Sequence, residues 1–265
     1  MIIRDYYLDV KDDEYYSSYD EFCSASRLHD FKSMGPSKFH ALVTGEVEKP
    51  KSKALIFGSA FHTRVLEGSN VFHERFLETE PPVNPKTGEP YKTGKKVQEW
   101  LESSPEGVEY ITLEESARIS EMNFAIRNHE YASVLLSDGD PEIVLRQSMY
   151  GVECQSKMDY LKPVGRQLID LKTTQSLDTF PDWIERKYLF QMAFYRMMIK
   201  GITGHTWNVS LVAIEKEPPY EIGIWELTDD SLIEATADVI AQLQYYRYCR
   251  DKDIWPGKYP EVNRI

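Results

Sequence analysis

Near the middle of the chain, apolar and polar positions alternate in three successive runs: "PEIVLRQSMYG" (141–151), "VECQSKMDYL" (152–161) and "RQLIDLKTT" (166–174). A period of two predicts strands, and the "YG" and "KPVG" turns between them predict a meander. The flanking patterns are helical. "SASRLHDFKSM" opens on a serine cap. "GPSKFHALVTGE" has Pro36 near its start and Gly45 near its end. "KALIFGSAFHTRVLEG" is closed by Gly68. Further helices are expected at about 95–104 and 112–136, and a long one at about 182–200. Strands near 206–216 and 220–227 follow, then a final helix at about 229–250. This order predicts one mixed α/β domain over residues 1–265, a central sheet flanked by helices. Residues 78–96, "ETEPPVNPKTGEPYKTGKK", carry Pro, Gly and Lys and are expected to form a long surface loop.

Composition narrows the class. At 265 residues the chain has ample core. No run approaches the 18 apolar residues of a membrane span, and the start, "MIIRDYYLDVKDDEYY", lacks a basic and an apolar region of signal-peptide type. No membrane partner is expected. Cys23, Cys154 and Cys249 match no zinc, iron–sulfur or disulfide spacing, which points to a reduced, cytoplasmic setting. The net charge of −12 argues against a non-specific nucleic-acid coat protein but not against an enzyme with a local basic groove. The charge is uneven. An acidic, aromatic segment fills 1–20, whereas bases gather in "KPKSK" (Lys49, Lys51, Lys53) and "YKTGKK" (Lys92, Lys95, Lys96). These lysines fit either a solvated surface or contact with phosphates. "QYYRYCR" (244–250) fits either helix packing or base stacking.

The chemistry centres on "IDLK". In a strand, Asp170 and Lys172 share one face, about 7 Å apart, while Ile169 and Leu171 face a core. Alone, this is compatible with a cross-strand ion pair. The "KPVG" turn, however, folds "KMDYL" back so that Asp159 lies opposite Asp170 or one diagonal step away. Two such carboxylates repel unless a cation sits between them. Lys172 supplies one charge, and a hard divalent ion would supply more. Gln191 and Tyr195 in "QMAFY" stand four apart on one helix face, either as a polar stripe or as hydrogen-bonding groups aimed at a phosphate backbone. In "GSAFH", Gly58 and Ser59 leave space around His62, which reads as a core histidine or as part of a site.

Taken in order, "GSAFH" (58–62), "MD" (158–159), "IDLK" (169–172) and "QMAFY" (191–195) resemble the RecB-like branch of the PD-(D/E)XK nucleases, most closely the RecE-type exonucleases. The likeness spans about 20–250. Met158 stands where the family's proline precedes the first acid, and the cysteine cluster of CRISPR-associated relatives is missing. The resemblance implies a restriction-endonuclease-like core with a central mixed sheet. It also implies a site in which His62, Asp159, Asp170 and the Leu171 carbonyl hold Mg²⁺ or Mn²⁺, with Glu142 a further candidate. Lys172 would orient and help deprotonate the attacking water, and Gln191 and Tyr195 would position the scissile strand. The implied activity is resection of double-stranded DNA ends, 5′→3′, leaving 3′ strands for a RecT-like annealing partner. A homotetrameric ring and a bacterial or phage source are implied as well. Other polarities, single-strand or flap substrates, and a silent DNA-binding module remain open alternatives.

Overall fold

The computed structural model describes residues 3–18, 21–47 and 53–259. Lys49 and Lys51 of "KPKSK" lie outside these. Five strands form one sheet in sequence order: β3 (Asp140–Met149), β4 (Val152–Lys162), β5 (Gln167–Thr174), β6 (Asn208–Glu215) and β7 (Ile222–Leu227). All neighbours are antiparallel except β5 and β6. That parallel pair needs a crossover, which α9 (Phe180–Trp183) and α10 (Leu189–Thr203) supply. A separate parallel pair, β1 (Phe76–Glu78) and β2 (Glu109–Ile111), was not expected from the sequence.

Both faces of the sheet are covered, which explains why β6 reads as an apolar run. Leu168 of β5 and Val209 and Leu211 of β6 face one cluster. It includes Leu28 and Phe31 of α2 (Ala25–Met34), Phe194 and Met198 of α10, and Leu243 of α11 (Asp229–Lys252). Ile169 and Leu171 face the other cluster. There they meet Phe61 of α4 (Lys53–His62), Phe72 of α5 (Ser69–Arg75), Trp100 of α6 (Lys95–Glu102) and Met122 of α7 (Leu113–Asn128). The alternation of β5 therefore inserts Asp170 into a fully covered strand, and it is 0% exposed. The half-exposed ion pair that an isolated D-x-K allows is not what the fold builds.

Several expected elements divide. The helix at 112–136 breaks into α7 and α8 (Glu130–Leu135), because the His129 ring accepts from the Tyr131 and Ala132 amides and caps α8. The helix expected at 182–200 holds a π-helical turn, Ile184–Tyr188, ahead of α10. A second π-helical turn, Thr63–Glu67, follows α4 and ends at Gly68, whose φ of 94° suits glycine. The loop after β1 is pinned by a bridge from Val83 to Pro90. The acidic N-terminal segment is partly ordered. It contains a 3₁₀ turn (Ile3–Tyr6) and α1 (Asp12–Ser17), and Leu8 bridges to Val144 on the edge of β3. Helix α3 (Pro36–Val43) completes the described helices, among which none is long and apolar enough to cross a membrane.

Candidate active site

The site forms where the β3–β4–β5 ladder opens. Pairing runs Asp140 with Leu161 and Pro141 with Tyr160, then resumes at Ile143 with Met158. The skipped residues are Glu142 and Asp159. Glu142 takes a left-handed conformation, φ 52°, which costs a non-glycine residue about 1–2 kcal/mol. On the other side, β4–β5 pairing ends at Tyr160 with Ile169, one pair short of Asp159 and Asp170. Here the Leu171 amide donates to Asp159 Oδ2 at 2.8 Å, so a side chain takes the place of a ladder carbonyl. Gly139 supports the opening. A Cβ there would lie 2.5 Å from the Tyr160 ring, whose hydroxyl accepts from the Gly139 amide at 2.8 Å.

Three side chains converge at the opening. One potential ligand atom each from His62, Glu142 and Asp159 lies within 4.8 Å of the others. His62 comes from the last residue of α4, with Nδ1 3.5 Å from Asp159 Oδ2. Gly58 and Ser59 line the same cleft one turn earlier, and nothing would meet a Cβ at Gly58 within 4 Å. Burial lowers the imidazole pKa, and Lys172 and Lys157 lower it further. Asp159 and a hydrogen bond with the Leu171 backbone oppose them. His62 is therefore held toward its neutral form, the form that ligates a metal.

Asp170 lies behind this trio and outside it. Lys172 Nζ is 2.5 Å from Asp170 Oδ2 and 3.8 Å from Asp159 Oδ2. Lys172 thus compensates Oδ2, while the buried Oδ1 is left without a hydrogen bond. Burial, and then Asp159, push the Asp170 carboxyl up to about 7. Burial opposes the charge on Lys172, but Asp170 and Asp159 outweigh it and hold the ammonium above its ordinary pKa. Glu142 is likewise pushed up to about 7 by burial, against the pull of Lys157. Carboxyls lifted by confinement, with one unpartnered oxygen on Asp170 and a neutral imidazole beside them, fit a hard divalent cation. His62, Glu142 and Asp159 would hold it. The Leu171 backbone is hydrogen-bonded with His62.

The cleft around this centre has a volume of about 1020 Å³. Gln191 and Tyr195 lie in its wall but face each other: Gln191 Nε2 donates to the Tyr195 hydroxyl at 3.0 Å. The Tyr188 ring packs 5.4 Å from Lys172 Nζ. The cations lining the cleft are Arg75, Lys157, Lys172 and Lys187. Lys92, Lys95 and Lys96 do not line it, and Lys95 and Lys96 both pair with Glu99 at the surface (3.7 and 2.8 Å). Sequence reasoning missed Lys157, which bonds both Asp12 and Glu142, the latter at 2.7 Å. Its signal was available, since it stands two residues before Asp159 in the same strand. Nothing in the sequence marks Arg75 or Tyr188.

A mixed five-stranded sheet between helical layers, with one acid on β4 and D-x-K on β5, defines a PD-(D/E)XK-type fold. The chain belongs to the family of the PDDEXK-like domain of unknown function (DUF3799), whose model matches residues 24–263. Among solved structures it is similar to a protein from Eubacterium rectale named "Putative exonuclease". The two share 20% identity with a TM-score of 0.68, over 97% of this chain and 94% of that one. A phage-related exonuclease from Haemophilus somnus 129PT aligns over 52% of this chain and 73% of its own, at 11% identity and a TM-score of 0.35. No curated protein matches the chain.

Proposed function

We propose that this protein is a divalent-metal-dependent deoxyribonuclease that degrades double-stranded DNA from its ends. The observation that carries the reading is the convergence of His62, Glu142 and Asp159 within 4.8 Å beside the buried Asp170–Lys172 pair. A bound Mg²⁺ or Mn²⁺ would supply Lewis acidity toward a water and toward the phosphate. The chain's own groups do the rest. Glu142 and Asp159 fix the cation with His62, while Asp170 anchors Lys172. Because the carboxylates favour its charged form, Lys172 serves as an ammonium. It orients the attacking water through its N–H groups and stabilises negative charge developing on the phosphate. Gln191, Tyr195 and Tyr188 form the wall against which a strand is placed.

Exonuclease action is favoured by the name of the Eubacterium rectale protein and by the RecE resemblance. That resemblance also supports 5′→3′ polarity, transfer of 3′ strands to a RecT-like annealing protein, and a closed homo-oligomer, a tetrameric ring. The test is digestion of linear duplexes labelled at either end, alongside labelled single strands and closed circles, in Mg²⁺ and in EDTA. Loss of the 5′ label first, an intact circle and no reaction in EDTA are expected. Cutting of circles would overturn the exonuclease reading, and digestion in EDTA would overturn metal dependence.

A further inference from the structure

Asp12, at the start of α1, reaches across the mouth of the cleft to two cations from different parts of the fold. Its Oδ2 lies 2.5 Å from Arg75 Nη2, at the end of α5, and its Oδ1 bonds Lys157 Nζ on β4. Arg75 Nη1 also pairs with Glu67 Oε1 at 3.2 Å. All three residues line the cleft and are only partly exposed. Lys157 in turn bonds Glu142, so the anion held by this pair sits one ammonium away from the candidate metal cluster. A guanidinium and an ammonium converging on the two oxygens of one acid form an oxyanion cradle, and a phosphate diester presents the same pair of oxygens with the same charge.

The attachment of α1 is uneven. Its C-terminal half is fixed: Gln155 Nε2 donates to the Tyr15 carbonyl, and Ser18 Oγ donates to Gln155 Oε1. Its N-terminal end has no side-chain cap. Asp12 can therefore swing away by turning its side chain and fraying the first residues of α1, while Tyr15 and Ser18 keep the segment on β4.

We propose that Arg75 and Lys157 form a phosphate-binding subsite for the nucleic-acid backbone next to the reacting position. Asp12 fills this subsite as an internal competitor until a substrate phosphate displaces it. The inference rests on the nuclease reading for the identity of the anion. It names two positioning residues and a built-in gate that the reading does not require.

The test is binding of short fluorescein-labelled DNA, followed by anisotropy, in a cleavage-deficient Asp159→Asn background with Mg²⁺. Asp12→Asn should bind about fivefold tighter, the worth of one partly exposed ion pair. Arg75→Gln should bind more weakly, with a salt slope shallower by about 0.7–0.9, the signature of one lost phosphate. Once Arg75 is gone, Asp12→Asn should lose most of its gain. Equal affinity for Asp12→Asn and its parent would overturn the proposal, and so would an unchanged salt slope for Arg75→Gln. Thermal unfolding identifies a misfolded Arg75→Gln, in which case the Asp12→Asn comparison decides alone. The two readings fail separately. Wild-type protein that digests DNA while Asp12→Asn gains nothing sinks only the gate, whereas tighter binding by Asp12→Asn in a protein that never cleaves sinks only the nuclease.

Discussion

Replacing Asp170 by Asn should remove a large part of a pH dependence that is built into the metal-free fold. In the wild type the Asp170 carboxyl is held at about 7 against an ordinary 3.8, first by burial and then by Asp159. Between those two values the folded chain keeps a proton that the unfolded chain has released. Stability therefore falls as pH rises through that window and levels off above it. At 1.36 kcal/mol per pH unit, a rise from 3.8 to about 7 corresponds to about 4 kcal/mol. Solvent does not screen this contribution, because Asp170 is 0% exposed. Glu142 acts in the same direction, mainly through its own burial, so its share of the pH dependence stays in the variant and cancels from the comparison. The assay is urea unfolding of wild type and Asp170→Asn in EDTA from about pH 4 to 8. The stability of wild type relative to the variant should decline by about 4 kcal/mol across the range. Added Mg²⁺ should recover the loss at pH 8 and do little at pH 5, where protons occupy the carboxyls. A flat difference, or a wild type that gains on the variant with rising pH, would refute the electrostatic account of the site.

Other perturbations separate roles at neighbouring positions. Lys172→Ala should lower single-turnover cleavage roughly 10²-fold or more, the worth of one donor aimed at developing charge. It should also cost about 3 kcal/mol above pH 7, where the buried Asp170 loses its counter-charge; an unchanged rate would leave Lys172 a structural residue. At Glu142, with φ 52°, Gly should be more stable than Ala by about 1 kcal/mol in chemical denaturation, while both lose the Mg²⁺-induced rise in melting temperature. Ala as stable as Gly would argue against the left-handed conformation. His62→Ala should weaken apparent Mg²⁺ affinity with the fold retained. A large fall in melting temperature with near-normal activity would return His62 to the core.

The strands and the D-x-K face were legible because period-two alternation and the "YG" and "KPVG" turns are local signals. Asp159 came within reach of Asp170 from the turn alone. What was not legible is non-local or conformational. No pattern marks Glu142 as left-handed, since the ladder skips it together with Asp159 on the neighbouring strand, and no local signal announces that break. Arg75, Asp12 and Lys157 meet across separations of 63 and 145 residues, which only the folded chain closes. The lysines of "YKTGKK" drew attention by composition, but Lys95 and Lys96 are satisfied within α6 by Glu99. Gln191 and Tyr195 were placed on one helix face correctly, yet their nearest partners are each other, a detail that helical spacing permits but does not announce. The breaks at His129 and in the π-helical turns fall inside continuous amphipathic patterns, where periodicity is blind to a single misplaced hydrogen bond.

The central claim is that the opening of the β3–β4–β5 ladder is a metal-dependent phosphodiester-cleaving centre. Single-turnover cleavage of end-labelled linear DNA by wild type and Asp159→Asn, with Mg²⁺ and with EDTA, tests it most directly. Cleavage by the wild type in Mg²⁺ alone, and by the variant in neither condition despite normal folding and DNA binding, is the predicted result. Cleavage by a folded Asp159→Asn at the wild-type rate, or by the wild type in EDTA, would contradict it.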